Sequence, residues 1–104
     1  MFIAKVKGNV VTTQKVEKMT GRKLLIIEPL RVDEKTKDFT PTGRCFVAVD
    51  SIGAGDQDLV LVTQGSSARM TAGTSDAPVD CVIIGIIDTV GVAGQTVYSK
   101  SGGQ

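Results

Sequence analysis

The sequence predicts an all-β domain. Three observations carry that prediction. Short runs rich in Val, Ile and Leu recur along the chain, among them Leu24-Leu25-Ile26-Ile27, Leu59-Val60-Leu61-Val62 and Val82-Ile83-Ile84-Gly85-Ile86-Ile87. Turn-forming clusters punctuate them: Ile52-Gly53-Ala54-Gly55, Gly65-Ser66-Ser67-Ala68-Arg69 and Ala93-Gly94-Gln95. A helical period is missing outside one short stretch after Ser66.

The first strand is expected over Phe2 to Thr13. It alternates, with Phe2, Ala4, Val6, Gly8 and Val10 on one face and Lys5, Lys7 and Asn9 on the other. Gln14 to Arg22 is polar and holds the turn signal Thr20-Gly21. Lys23 to Leu30 carries an unbroken apolar run, which fits a strand buried on both faces and ended by Pro29. Arg31 to Gly43 reads as a long charged hairpin loop, in which Phe39 is expected to staple the loop to the barrel.

Arg44 to Val49 and Leu59 to Thr63 supply the third and fourth strands. Ser66 or Ser67 is placed to cap a short helix through Arg69 to Ala72, because its hydroxyl accepts from free N–H groups of the first turn; Gly73 ends that helix. Val79 to Val92 is the longest strand expected, and Gly85 within it marks a bulge or a close backbone approach. Thr96 to Ser99 closes the domain. Residues 1–99 form one domain and residues 100–104 a flexible tail.

A chain of 104 residues builds one core, and that core is marginal on its own. With 4% aromatic residues it must be made of Val, Ile and Leu. A small all-β domain must also hide its sheet edges, which at this size favours a closed or nearly closed barrel. Five to six strands interrupted by one short helix ahead of the last long strand resemble an OB-type barrel.

Net charge is +1, so no global field attracts nucleic acid or acidic lipid. The charges are unevenly spread. Residues 1–30 carry Lys5, Lys7, Lys15, Lys18, Arg22 and Lys23 against Glu17 and Glu28, whereas residues 50–92 carry six aspartates against Arg69. Two solvated faces account for this; complementary edges between subunits are the functional reading. Cys45 and Cys81 lie in apolar strand candidates and are expected as small core residues in a reducing compartment. Lys5 and Lys7 interrupt any secretory apolar region, and no stretch is apolar and long enough to span a membrane, so a soluble cytoplasmic protein is expected.

Catalytic chemistry finds no footing. The chain has no histidine, and no CxxC, GxSxG, HExxH or P-loop spacing occurs. Gly53-Ala54-Gly55 precedes a strand instead of opening a helix, which rules out a dinucleotide fingerprint. The aspartates are scattered through turns, not gathered at metal-ligand spacing. No catalytic residue, metal or cofactor is expected. A single-stranded nucleic-acid module is the competing class for an OB-type barrel, but it needs stacking aromatics and a basic groove. Phe2 and Phe46 fall on positions expected in the core. Function should therefore concentrate where backbone shape is specified: a tight corner at Gly53 and Gly55, with at least one positive φ, and the turn Gly65 to Arg69.

Ordered motifs then point to assembly. They are the opening string Phe2 to Lys15, Gly21-x-Lys23-Leu24-Leu25, Val49-Asp50-Ser51-Ile52-Gly53-Ala54-Gly55, Val60-Leu61-Val62-x-x-Gly65-Ser66-Ser67-Ala68-Arg69, and Pro78-Val79-Asp80-x-x-Ile83-x-Gly85-Ile86-Ile87-Asp88. Taken in order over residues 1–100, they are similar to the bacterial microcompartment vertex proteins, the EutN/CcmL family of carboxysomes and metabolosomes. The resemblance implies a homopentamer of OB-like barrels in the cytoplasm. It would cap the five-fold vertices of a polyhedral shell whose facets are hexameric tiles, without nucleic acid or membrane as partner. It also implies that Gly65, Ser66, Ser67, Ala68 and Arg69 lie at a subunit interface or five-fold pore; the alternative is a turn that merely caps the barrel's open end. Departures from the pattern are Asp56-Gln57-Asp58, Cys81 and the long 31–43 loop.

Overall fold

The computed structural model describes residues 1–13, 23–33, 35–36, 38–65 and 80–100. Eight strands follow one another: β1 (Phe2–Val10), β2 (Lys23–Val32), β3 (Phe39–Pro41), β4 (Phe46–Asp50), β5 (Leu59–Gln64), β6 (Cys81–Ile86), β7 (Thr89–Val92) and β8 (Gln95–Ser99). No helix occurs among the described residues, and the expected cap and helix at 66–73 lie outside them.

The sheet order is β1-β5-β6-β4-β2-β3, and β1 also pairs with β2. That extra pairing closes five strands into a barrel and leaves no open edge among them. Every ladder in the barrel is antiparallel except β4–β6, which is parallel through Val49↔Val82 and Asp50↔Ile83. The resulting circular order is that of an OB-like barrel. The core is aliphatic: Ala4, Val6, Leu25, Ile27, Ala48, Val60, Val62 and Ile83 are buried together, with Phe2 and Ile86 packed against them.

Several expectations need correction. Pro29 does not end the second strand. The β4 ladder stops at Ile27 and the β3 ladder begins at Leu30, so Pro29 falls in the gap between them and its missing N–H breaks no bond to either. Its carbonyl accepts from Thr42 N at 3.2 Å and Thr42 Oγ1 at 2.8 Å. β2 also alternates: Leu25 and Ile27 are in the core, while Leu24 and Ile26 are half-buried on the other face.

The face assigned to β1 holds only as far as Val6. A bulge between Val6 and Gly8 pairs Val6 with Ile27 but Gly8 with Ile26, so Gly8 and Val10 move to the outer face. The long strand expected over 79–92 is two. Ile87 N donates to Leu59 O at 2.9 Å, after which the chain leaves the barrel and folds back as the separate β7–β8 hairpin. Ala93 (φ 51) and Gly94 (φ 78) make its two-residue turn, as a twisted hairpin requires. Opposite Val62 and Leu61, β6 presents Ile83 and Gly85 with Ile84 between them, a bulge beside the glycine that signalled it.

Phe39 half-buries itself edge-on against Tyr98, with ring centroids 6.5 Å apart, and so ties β3 to the hairpin. Phe46 is not core. It is 38% exposed at the barrel's end, under the Arg44 guanidinium at 5.8 Å. Cys45 precedes the ladder, which starts at Ile27↔Phe46, and is exposed; Cys81 is buried as expected.

Candidate functional site

The corner after β4 is built by a residue the sequence reading passed over. Asp50 is buried, at 2% exposure, at the end of β4. Its Oδ1 accepts from Ile52 N at 3.0 Å and its Oδ2 from Ala54 N at 2.8 Å. The carboxylate thus takes up the N–H groups of a loop that has no ladder partner. Gly53 between them has φ +88°, a conformation glycine adopts without strain. Gly55 does not share it. Its N donates to Asp58 Oδ2 at 2.8 Å, and a Cβ there would lie 3.5 Å from that oxygen. The corner folds Ala54, 1% exposed, into the core cluster.

The corner is then fastened to β1. Val6 N donates to Asp58 O and Gln57 N to Val6 O, both at 2.9 Å, next to the β1 bulge. A cleft of about 390 Å³ opens beside it, with Val6, Leu25 and Ala54 as its floor and Lys7, Lys23 and Asp56 at its rim. Lys23 Nζ lies 3.5 Å from Ala54 O. Nothing here converges on a reacting atom. Among the described residues no group of three His, Cys, Asp or Glu side chains could hold a metal ion.

Of the turn 65–69, Gly65 is described and Ser66, Ser67, Ala68 and Arg69 lie outside the described residues. Gly65 follows β5 with φ +71°, and its N donates to Asp80 O at 2.9 Å. The corner and Gly65 therefore stand on separate loops, after β4 and after β5.

Some of the uneven charge is settled within the chain. Lys100 Nζ is 3.7 Å from Asp58 and Lys7 Nζ 4.0 Å from Glu28; both lysine side chains are well exposed, and such pairs contribute little. Lys100 N also donates to Asp88 O at 2.7 Å, which ties down the first residue of the expected tail; residues 101–104 lie outside the described residues. The Cys81 thiol is pushed above its ordinary value, first by burial and then by the Asp80 carboxylate. No helix among the described residues is long and apolar enough to cross a membrane.

Comparison with known proteins places this architecture. The family model described as "Ethanolamine utilisation protein EutN/carboxysome" matches residues 1–88. The carboxysome shell vertex protein CcmL of Synechocystis sp. is 46% identical over 100 residues, covering 96% of this chain and 95% of that protein. The solved structure of Gloeobacter violaceus CcmL superposes with a TM-score of 0.85 at 44% identity, covering 97% and 99% of the two chains. The pentameric microcompartment shell protein GrpN of Rhodospirillum rubrum superposes with a TM-score of 0.75 at 40% identity, covering 89% and 100%.

Proposed function

This chain belongs to the EutN/CcmL family of microcompartment shell proteins, and from that premise we propose that five copies close into a ring that caps a five-fold vertex of a polyhedral protein shell. It is a structural shell protein and not an enzyme. The observation that carries the reading is the extent of the match: relatives named as shell vertex proteins align along 96% of this chain at 46% and 44% identity, and share its closed barrel. Shell vertex relatives also include EutN of Salmonella typhimurium at 39% identity and PduN of the same organism at 41%, so we read the shared barrel as serving the vertex and not one enclosed pathway.

The geometry of closure explains the demand for such a protein. Hexagonal tiles cover a plane, and a plane does not close. Replacing one hexagon by a pentagon removes one sector and forces curvature. The partners proposed for the ring are therefore its own copies and hexameric shell tiles. A ring of identical subunits needs shape and complementary edges, not reactive groups, in keeping with the plain chemistry of the corner and cleft.

The turn Gly65 to Arg69 is proposed to lie near the five-fold axis. Small residues let backbones crowd together there, and Arg69 would pair with an acidic residue of the neighbouring copy. Native mass spectrometry tests the ring: five copies are expected at micromolar concentration, and a stable monomer or dimer overturns the reading. Arg69→Ala is expected to weaken the ring by roughly 2–5 kcal/mol per buried pair broken. Unchanged dissociation and normal closed shells on co-expression with hexameric tiles would remove Arg69 from the interface.

A further inference from the structure

We propose that the ring closes through two separate aliphatic rows on the outside of each barrel, one row of each copy packing on the other row of its neighbour. This rests on the reading of the chain as a ring-forming vertex protein. A barrel wall that faces water alternates apolar residues inside with polar residues outside. This wall does not. Ile3, Leu61 and Gly85 form an outward row across β1, β5 and β6, as successive cross-strand partners Ile3↔Leu61 and Leu61↔Gly85. Gly8, Ile26 and Val47 form a second row across β1, β2 and β4, as partners Gly8↔Ile26 and Ile26↔Val47. Neither row holds a charge. Val47 is 52% exposed, and the other five residues are half-buried.

The two rows are distinct. Between them runs the pair Val49↔Val82, exposed by 2% and 0%, with Leu24 and Ile84 packed against it. That strip is already covered in a single copy. The bulge in β1 makes the division possible, because it returns Gly8 to the outer face beyond the inward-facing Val6.

Two arguments identify the occupant as another copy of this chain. A closed ring of identical subunits is heterologous, so each copy must present two unlike faces, one to each neighbour. A single apolar face would give a dimer. The second argument comes from the glycines, one in each row. Neither has a positive φ. A Cβ on Gly8 would meet Ile26 Cδ1 at 3.8 Å, and one on Gly85 would meet Leu61 Cβ at 3.8 Å, both ordinary contacts. Among the described residues, packing does not require glycine at either place, and in a strand glycine weakens the ladder. A notch beside Ile26 and Val47 in one row, and beside Leu61 and Ile3 in the other, gives the bulky residues of each row a place to enter its partner.

The test uses Val47→Lys, which spoils one row at an exposed site, and Gly85→Lys, which spoils the other. Native mass spectrometry and sedimentation of each are compared with the wild type. Each variant alone is expected to lose the ring of five at concentrations where the wild type keeps it. Mixed in equal amounts, they are expected to give a two-chain species with one copy of each, because each retains the row the other lacks. Gly8→Ala, which adds no charge and fits its own chain, is expected to keep the thermal unfolding of the subunit and raise the ring's dissociation constant at least about tenfold; it decides the question if a lysine variant fails to fold. A wild-type protein that is not a ring of five overturns the vertex reading, and the inference with it. A wild-type ring left intact by all three substitutions overturns the inference alone, as does a mixture that yields no two-chain species.

Discussion

Removing the Asp50 carboxylate tests how the glycine corner is held. In Asp50→Ala the N–H groups of Ile52 and Ala54 lose their acceptors at 3.0 and 2.8 Å. The Ala54 bond is buried, so its donor is left without water, which costs about 1–3 kcal/mol. The Ile52 bond is part-buried, and solvent replaces it at a smaller cost, about 1 kcal/mol. Relief from burying a charge offsets part of this. The net expected loss is about 1–3 kcal/mol, or at least about 4 °C in melting temperature for a domain of this size. Urea unfolding at fixed protomer concentration measures it, since ring formation makes apparent stability concentration-dependent. Asp50→Asn keeps one acceptor but turns an NH2 toward the other donor, and is expected to fall between wild type and alanine. A loss below about 1 kcal/mol for Asp50→Ala would refute the reasoning, because the corner would then hold its shape without the carboxylate.

Gly53→Ala meets open space but must adopt φ +88°, so it is expected to cost about 1–2 kcal/mol, whereas Gly55→Ala makes only an ordinary 3.5 Å contact and is expected to stay within about 0.5 kcal/mol; equal unfolding midpoints for the two would show that backbone conformation does not govern the corner. A neutral alkylating reagent at pH 8 is expected to consume the exposed Cys45 thiol quickly and Cys81 only on unfolding, and equal rates would contradict the burial described. Because folding raises the Cys81 pKa, its contribution is full below the unfolded thiol's pKa and is lost as pH rises through the folded value, so stability is expected to fall on the alkaline side, and less so in Cys81→Ala.

The barrel was legible because its elements repeat a local rule: aliphatic runs rich in Val, Ile and Leu, at Leu59–Val62 and Val82–Ile86, make strands wherever turns bound them. What escaped were departures decided by partners. Pro29 is harmless only because two different strands cover β2 on either side of it. The bulge after Val6 is invisible in a string that alternates evenly, since its cause is the register with Ile26 and Ile27. Asp50 looked like one scattered aspartate among six, and its role follows from where the chain turns after β4. Cys45 and Phe46 stand in an apolar run, but the barrel simply ends there. The motifs that carried the family resemblance were strings long enough to record such tertiary facts without revealing their reasons.

The parallel pairing of β4 with β6 has a consequence in time. Val49 and Val82 are 33 positions apart, farther than the partners in any other ladder of the barrel except β1–β5, which joins residues such as Lys5 and Leu59. Loop-closure entropy makes such a contact slow to form. The outer surface between the two rows comes into being only when that contact is made. A nascent or half-folded chain therefore has the apolar residues but not their arrangement, and recruitment into a shell waits on completion of the barrel. The rate at which vertices become available is then set by the folding of a single subunit as much as by encounters between subunits.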